Sequence, residues 1–484
     1  MKKLTFIFAI ILCLPFVLFG CQKEEQFNHY NLNVTYNEQE QMLLCEQETR
    51  YVNKSNACLN EICFYLYANA FGENEKAVPT SYESKAYPNG KSSGEIEFEN
   101  VCSQGKDLEY EISDNKAILS VKMLKNLYPD ECFLVNMKYT VSLANINHRL
   151  GHGEKTVNLG NFFPIACVYN DDGSGFVKNG FSASGDPFFS DVSNFNVTFS
   201  CPEKYVVAST GNKTESVSNG QKIAECNAQK VRDFCLVVSE NFSVIEKNCG
   251  ETTVKYYFYD DEKSAEHLDV SVKALQTFEK LFGEYPYKQL SVVKNNFCFG
   301  GMEYPNLVMI SDAVEDGQMI DYVIVHEIAH QWWYGLVGNN EYQEAWLDEG
   351  LTEFSTAVFF EKNPKYKIDY KITMQNAVAG YKNFVSIYSK INGRVDESMD
   401  RNLSQFATEP EYVNCVYTKG MLLFDSLRQT LGDRKFFKCL RDYFEKFEYQ
   451  NASGIGMIES FTKSAKIKLE QYFSAWIEGK VVLK

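Results

Sequence analysis

The residues best equipped for chemistry are two histidines four apart with a glutamate between them, in His326-Glu327-Ile328-Ala329-His330. A further glutamate follows in Trp346-Leu347-Asp348-Glu349-Gly350. On a helix, positions i and i+4 share one face, one turn apart, so the imidazoles of His326 and His330 can converge on one cation. Two neutral imidazoles and the Glu349 carboxylate are a donor set suited to zinc, one ion per chain. Three protein ligands leave a fourth position open for water, which marks a catalytic site; closed structural zinc sites use four ligands, usually with cysteine. The chain has only six histidines, and chance would place such a motif in roughly one chain in two hundred.

Glu327 follows a ligand and so points beside the metal. A carboxylate there can take a proton from water and pass it to a leaving amine. Glu353 lies one turn beyond Glu349 on the same face, placed to hold a ligand histidine in the right tautomer. No histidine follows His330, so an oxyanion would have to be met by Tyr, Arg, Lys or backbone N–H. The sequence Val416-Tyr417-Thr418-Lys419-Gly420 stands out, because a phenol donates a hydrogen bond without carrying charge. Taken alone, Tyr417 is one of thirty tyrosines.

The elements that must hold these groups are legible in outline. The metal helix is expected over 316–334, with a stop near Gly335 and with Val323, Ile324, Ala329 and Trp333 packed inward. Further helices are expected over 346–362, 366–391, 415–431, 433–447 and 467–478, and another from Ala265 to Phe282. Before them the text is strand-like: short runs rich in β-branched and aromatic residues, separated by Asn, Gly, Asp and Ser. Strands first and helices afterwards indicate an N-terminal all-β antiparallel domain over 30–247, then an α+β, mostly helical domain over 248–484.

The first twenty residues read as a processing signal. Lys2 and Lys3 form a basic start, Leu4 to Phe19 is nearly all apolar, and the run is short for a membrane span. Gly20-Cys21 followed by polar residues resembles a bacterial lipoprotein signal, with residues 1–20 removed, Cys21 lipidated and 21–29 a tether. That implies an extracytoplasmic protein held to the cell membrane by its lipid. Ordinary secretion and an uncleaved anchor are the alternatives. Formal charge is −16, or −18 without Lys2 and Lys3, which argues against nucleic acid as partner. Without Cys13 and Cys21, thirteen cysteines remain, none in a CxxC pair. Cys58 with Cys63, or Cys226 with Cys235, could be disulfides or buried thiols.

Together these motifs resemble the aminopeptidase N-type zinc metallopeptidases, a gluzincin family with HExxH-x18-E. The match takes in His326, Glu327, His330 and Glu349, Gly300-Gly301-Met302-Glu303-Tyr304 for the family's Gly-x-Met-Glu-Asn strand, and Tyr417 before x-Lys-Gly. More loosely, Gly160-Asn161-Phe162-Phe163-Pro164 and Gly185-Asp186-Pro187-Phe188 resemble bacterial members. The resemblance implies a saddle-like β domain and a thermolysin-like catalytic domain. It implies zinc-dependent removal of N-terminal residues from peptides, with Glu327 as base then acid and Tyr417 steadying the tetrahedral intermediate. Gly300, Gly301, Met302 and Glu303 would bind the substrate, Glu303 taking the free α-ammonium. Three departures stand: Tyr304 replaces the family's Asn, no Gln-x-Glu second amine anchor precedes Gly185, and the helical C-terminal domain that roofs longer members is missing, which suggests a more open cleft, or an oligomer or partner supplying the cover. The other functional readings are a thermolysin-like endopeptidase and a catalytically silent peptide-binding lipoprotein.

Overall fold

Alternation builds the first half. In the strand Asn28–Asn37, Tyr30, Leu32, Val34 and Tyr36 are buried while the intervening residues face outward, the period-two pattern of a half-buried sheet. The computed structural model describes residues 27–170, 172–314 and 317–483. The leader and Cys21 lie outside these residues. The first strand starts at Asn28, inside the stretch expected to be a tether.

An eight-stranded sheet runs from Asn212–Ser218 at one edge to Lys106–Asp107 at the other, with Asn28–Asn37 and Met42–Val52 at its centre. Two four-stranded sheets complete this half. The expectation of an antiparallel domain needs one correction: Asn28–Asn37 pairs in parallel with Ser193–Pro202, Leu32 opposite Val197. Strands this far apart in sequence leave no turn signal that could fix their direction.

The second half is built on a five-stranded sheet, in the order Ser243–Cys249, Thr252–Phe258, Gln289–Asn295, Leu307–Ser311 and Gly301–Met302. Its first strand begins before the boundary expected at 247. Ser243–Cys249 forms a hairpin with Thr252–Phe258, so its register is tied forward to the catalytic sheet. The strand Leu307–Ser311 shows how the halves meet. Leu307 and Met309 belong to the core shared with the β-rich half, and Val308 and Ile310 to the core shared with the helices. A strand buried on both faces reads as a continuous apolar run.

Helices Ser264–Leu281, Gln318–Ala329, Glu349–Lys362, Tyr370–Asn392, Lys419–Leu431, Asp433–Phe447, Gly454–Ala465 and Glu470–Ile477 make up most of the remainder. Gly454–Ala465 was not foreseen, since two glycines in its first turn mask the helical pattern. Arg232 staples the halves together. Its buried guanidinium donates to Ser190 O (2.6 Å), Tyr334 O (2.8 Å) and Gln450 O (3.1 Å). Gly338 makes room for it: a Cβ there would lie 2.0 Å from the guanidinium carbon. No helix among the described residues is long and apolar enough to cross a membrane.

Candidate metal centre and substrate cleft

The helix Gln318–Ala329 presents His326 and Glu327 and hands over to His330 at its C-cap. Ile320, Ile324 and Ile328 recur every fourth residue and are fully buried. Each contributes about 1.5–3 kcal/mol by burial, so this apolar face rather than any N-cap holds the helix in place. The helix stops earlier than the expected Tyr334. Past Ala329 the chain first tightens, with Trp332 N bonded to Ala329 O, and then widens, with Gly335 N bonded to His330 O (2.9 Å) and Val337 N to Trp332 O (2.9 Å). Tyr334 ends it at φ 126°, and its carbonyl is held by Arg232.

The three expected ligands come together. His326 Nε2 and His330 Nε2 are 3.3 Å apart, and Glu349 Oε2 lies 3.3 Å from the first and 3.2 Å from the second. Ligands about 2.0–2.1 Å from a tetrahedral zinc ion stand about 3.3–3.4 Å apart, so this triangle has the size such an ion requires. The donor chemistry fits as well. His326 Nδ1 faces Glu353 Oε2 at 3.0 Å, and His330 Nδ1 faces the Trp333 carbonyl at 2.9 Å. Both partners accept, so each ring carries its proton on Nδ1 and turns an Nε2 lone pair inward. Glu349 Oε2 is buried and receives no hydrogen bond. Tyr322 donates to Glu353 Oε1 (2.7 Å), fixing the carboxylate that fixes His326.

The local field favours positive charge at this point. Burial opposes a charged His330, but Glu303 and Glu349 beside it push it up to about 10. Burial likewise opposes ionisation of Glu349, yet the two histidines hold it down at about 2. A site that draws a proton this strongly draws a dication more strongly still.

Tyr417 enters from the other side. It sits in a π-helical turn, Asn414–Thr418, just before the helix Lys419–Leu431. Such turns insert an extra residue and re-aim side chains. The Tyr417 hydroxyl donates to Glu349 Oε1, and its ring stacks near-parallel to that of His326. Burial keeps the phenol protonated, so it remains a donor. Two glycines make this approach possible. Gly350 and Gly420 face each other where their helices cross, and a Cβ on Gly420 would lie 2.7 Å from the Gly350 Cα.

Glu327, Gly300, Gly301 and Glu303 line one cleft of about 290 Å³ with the metal residues. Glu327 lies against Gly301, where a Cβ would come within 2.3 Å of its carboxylate. Glu327 Oε2 has no hydrogen-bond partner. Burial is the main cause that pushes its pKa up to about 7. Met302 is the exception among the substrate-binding residues expected. Its side chain is buried in the core of the β-rich half, because an edge strand alternates its faces, whereas Gly300, Gly301 and Glu303 line the cleft.

Two cleft residues were not foreseen. Asp186 reaches in from the β-rich half, and carboxylate oxygens of Asp186, Glu303 and Glu349 lie within 4.8 Å of one another. Arg149 Nη1 is 2.5 Å from Asp186 Oδ1. The signal available in the sequence was an acidic residue between a glycine and a proline; Gly185 has φ 73°, and the Tyr412 hydroxyl occupies the place of its side chain. Neither candidate disulfide forms. Among the described residues all thirteen cysteines are free thiols, including Cys58, Cys63, Cys226 and Cys235.

Residues 266–476 match the peptidase family M1 domain. Aminopeptidase N of Lactococcus lactis subsp. lactis is 24% identical over 229 residues, 44% of this chain and 26% of that protein. Human endoplasmic reticulum aminopeptidase 2 is 26% identical over 231 residues, 44% of this chain and 23% of that one. The chain thus spans about a quarter of the length of these curated relatives. Its fold is that of the M1 zinc metallopeptidase of Deinococcus radiodurans, with a TM-score of 0.66, 17% identity and 94% of each chain covered. A mutant of that Deinococcus enzyme bound to a Tyr-Ser-Ala substrate superposes with a TM-score of 0.63, at 17% identity over 94% of this chain and 95% of that one.

Proposed function

We propose, from the match of residues 266–476 to the peptidase family M1 domain, that the chain is a zinc-dependent aminopeptidase that removes residues from the free N-terminus of peptides. The observation that carries this reading is the meeting, in one cleft, of a His326–His330–Glu349 donor triangle with two further carboxylates, the buried Glu303 and the partly buried Asp186. Bound zinc supplies Lewis-acid polarisation of the scissile carbonyl and activation of water.

The chain's own groups do the rest. Glu327, poised near neutrality beside the donor triangle, accepts the proton of the attacking water and delivers it to the departing amine. Tyr417 donates its hydroxyl hydrogen to the oxyanion of the tetrahedral intermediate, leaving its resting partner Glu349. Glu303 and Asp186 receive the α-ammonium. An N-acetylated peptide offers them no charge and leaves the buried Glu303 without compensation. The short edge strand Gly301–Met302 leaves one side of its backbone for an extended peptide to pair with. The Tyr-Ser-Ala complex of the Deinococcus enzyme supports peptides as the substrate class.

Asp186 bears on the choice between exo- and endopeptidase action. A second carboxylate in the amine pocket favours release of one residue at a time. The test is a peptide set offered with free and acetylated N-termini, with and without a zinc chelator. Chelator-sensitive cleavage of the free-ended set alone is expected; internal cleavage that ignores acetylation would establish the endopeptidase instead.

We further propose that the enzyme acts outside the cell, held through a lipid on Cys21. The basic start, the apolar run and Gly20-Cys21 support this. Cys21→Ser should move the protein from the membrane fraction to the soluble one, and an unchanged distribution would remove the anchor from the reading.

A further inference from the structure

Glu303 is a carboxylate without a holder. It is 3% exposed, and its Oε1 has no hydrogen-bond partner. A group that must register a substrate's ammonium, yet is not itself tied down, takes its aim from the backbone beside it. On one side Met302 pairs with Met309 across the sheet. On the other stands Tyr304, where the ties are strong. Its carbonyl accepts from Gln331 Nε2 (3.1 Å), and Gln331 Oε1 accepts from Asn306 N (2.8 Å). Gln331 follows the ligand His330 directly, so this contact ties the Glu303 strand to the metal segment.

The Tyr304 side chain ties the same strand to the other half of the molecule. The ring is fully buried, and its hydroxyl donates to Asn161 Oδ1 at 2.5 Å. Asn161 Nδ2 in turn donates to Asp233 Oδ2, and Phe234 N bonds Asp233 Oδ1 at 2.7 Å. All three side chains are buried. The seat is shaped for this residue. A Cβ on Gly160 would lie 2.0 Å from the Tyr304 hydroxyl oxygen, and Asn161 takes a left-handed conformation with φ 54°. A left-handed residue beside a forced glycine is a backbone arrangement that costs free energy unless its surroundings require it.

We infer that Tyr304 is a positioning residue: through Asn161 and Asp233 it lets the β-rich half set the aim of Glu303, and with it the preference for a free amine. The inference rests on the aminopeptidase reading above. Removing the hydroxyl breaks the tie from Tyr304 to Asn161, and Glu303 shares a peptide unit with Tyr304. The metal triangle, anchored separately through Glu353, Trp333 and Tyr322, is left as it is.

The test compares a free-amine anilide substrate with its analogue lacking the α-amine, on zinc-loaded full-length protein. The wild type sets the discrimination ratio in kcat/KM. For Tyr304→Phe the ratio should fall about tenfold through a raised KM for the free-amine substrate, as a small misplacement of a binding group would produce. The rate on the analogue and the zinc content should not change. Asn161→Ala breaks the chain one link further back and should give the same loss. The double variant should lose no more than either single one, because the residues act as one unit. If one variant fails to fold, the other decides. An equal loss on both substrates, or an unchanged ratio, would reduce Tyr304 to core packing and overturn the inference alone. A wild type that ignores the α-amine would overturn the aminopeptidase reading and this inference with it.

Discussion

The metal triangle and the amine pocket face each other across one cleft, but they are built in opposite ways. His326, His330 and Glu349 come from two helices of the same half, Gln318–Ala329 with its C-cap and Glu349–Lys362, and each has a holder of its own nearby: Glu353, the Trp333 carbonyl, Tyr417. Glu303 and Asp186 come from different halves of the molecule, and Glu303 is aimed by a neighbour rather than a bond. The first arrangement is held mainly by contacts within its own half. The second depends on it, so catalysis and amine recognition are separable by mutation.

The sharpest separation should come from Glu327→Gln. The amide keeps the shape against Gly301 but cannot take a proton, so kcat should fall about a thousandfold with zinc content unchanged. Metal analysis beside turnover checks this; retained activity would show that another group is the base. Next in size is Tyr417→Phe, which removes one oxyanion donor. A loss of about a hundredfold in kcat with KM nearly constant is expected, and a change confined to KM would move Tyr417 from the chemistry to binding.

Glu353→Gln probes the holders instead. Outer contacts of this kind are worth about 10–100-fold in metal affinity, so competition with a chromogenic chelator should show zinc bound that much more weakly, while free-amine preference stays as it was. Asp186→Asn should do the reverse: zinc affinity unchanged, KM for free-amine peptides raised about tenfold. If that variant lost zinc, the two regions would not be separable after all.

The smallest effect concerns the seat of Tyr304. Burial, the main cause, pushes Asp233 up to about 7 from an ordinary value of 3.8. A raised pKa means that the folded state holds this proton more tightly, so its contribution to stability is complete below pH 3.8 and is lost as pH rises towards 7. Asp233→Asn stays neutral throughout. Its melting temperature should lie below the wild type near pH 4, where the amide NH2 cannot accept one of the two hydrogen bonds, and should gain on the wild type as pH rises past 7; a constant difference across that range would mean Asp233 is already ionised in the fold.

What was legible in the sequence follows the same division. Helical spacing and one downstream carboxylate were enough for the metal ligands and Glu353, because contacts between nearby helical positions follow from periodicity. The parallel pairing of Asn28–Asn37 with Ser193–Pro202 and the entry of Asp186 into the cleft depend on contacts across much of the chain, which no local pattern encodes. Tyr304 was visible only as a departure from the family's Asn. Its meaning appears once Gly160 and Asn161, noted for a different resemblance, lie against it. The early end of the metal helix was illegible because its cause, Arg232, lies about a hundred residues upstream.

The crossing of Gly350 and Gly420 sets a limit on how this protein can vary. One neighbours Glu349, and the other follows Tyr417 by three residues. Any side chain at either position would have to push the two helices apart. Evolution and laboratory selection can therefore rework the amine pocket through loops and domain contacts. At the crossing even a methyl group would meet backbone, 2.7 Å from the Gly350 Cα if placed on Gly420 and 3.0 Å from the Gly420 Cα if placed on Gly350. The rim of the cleft is free to vary, whereas the separation of Glu349 from Tyr417 depends on two positions that carry only hydrogen atoms.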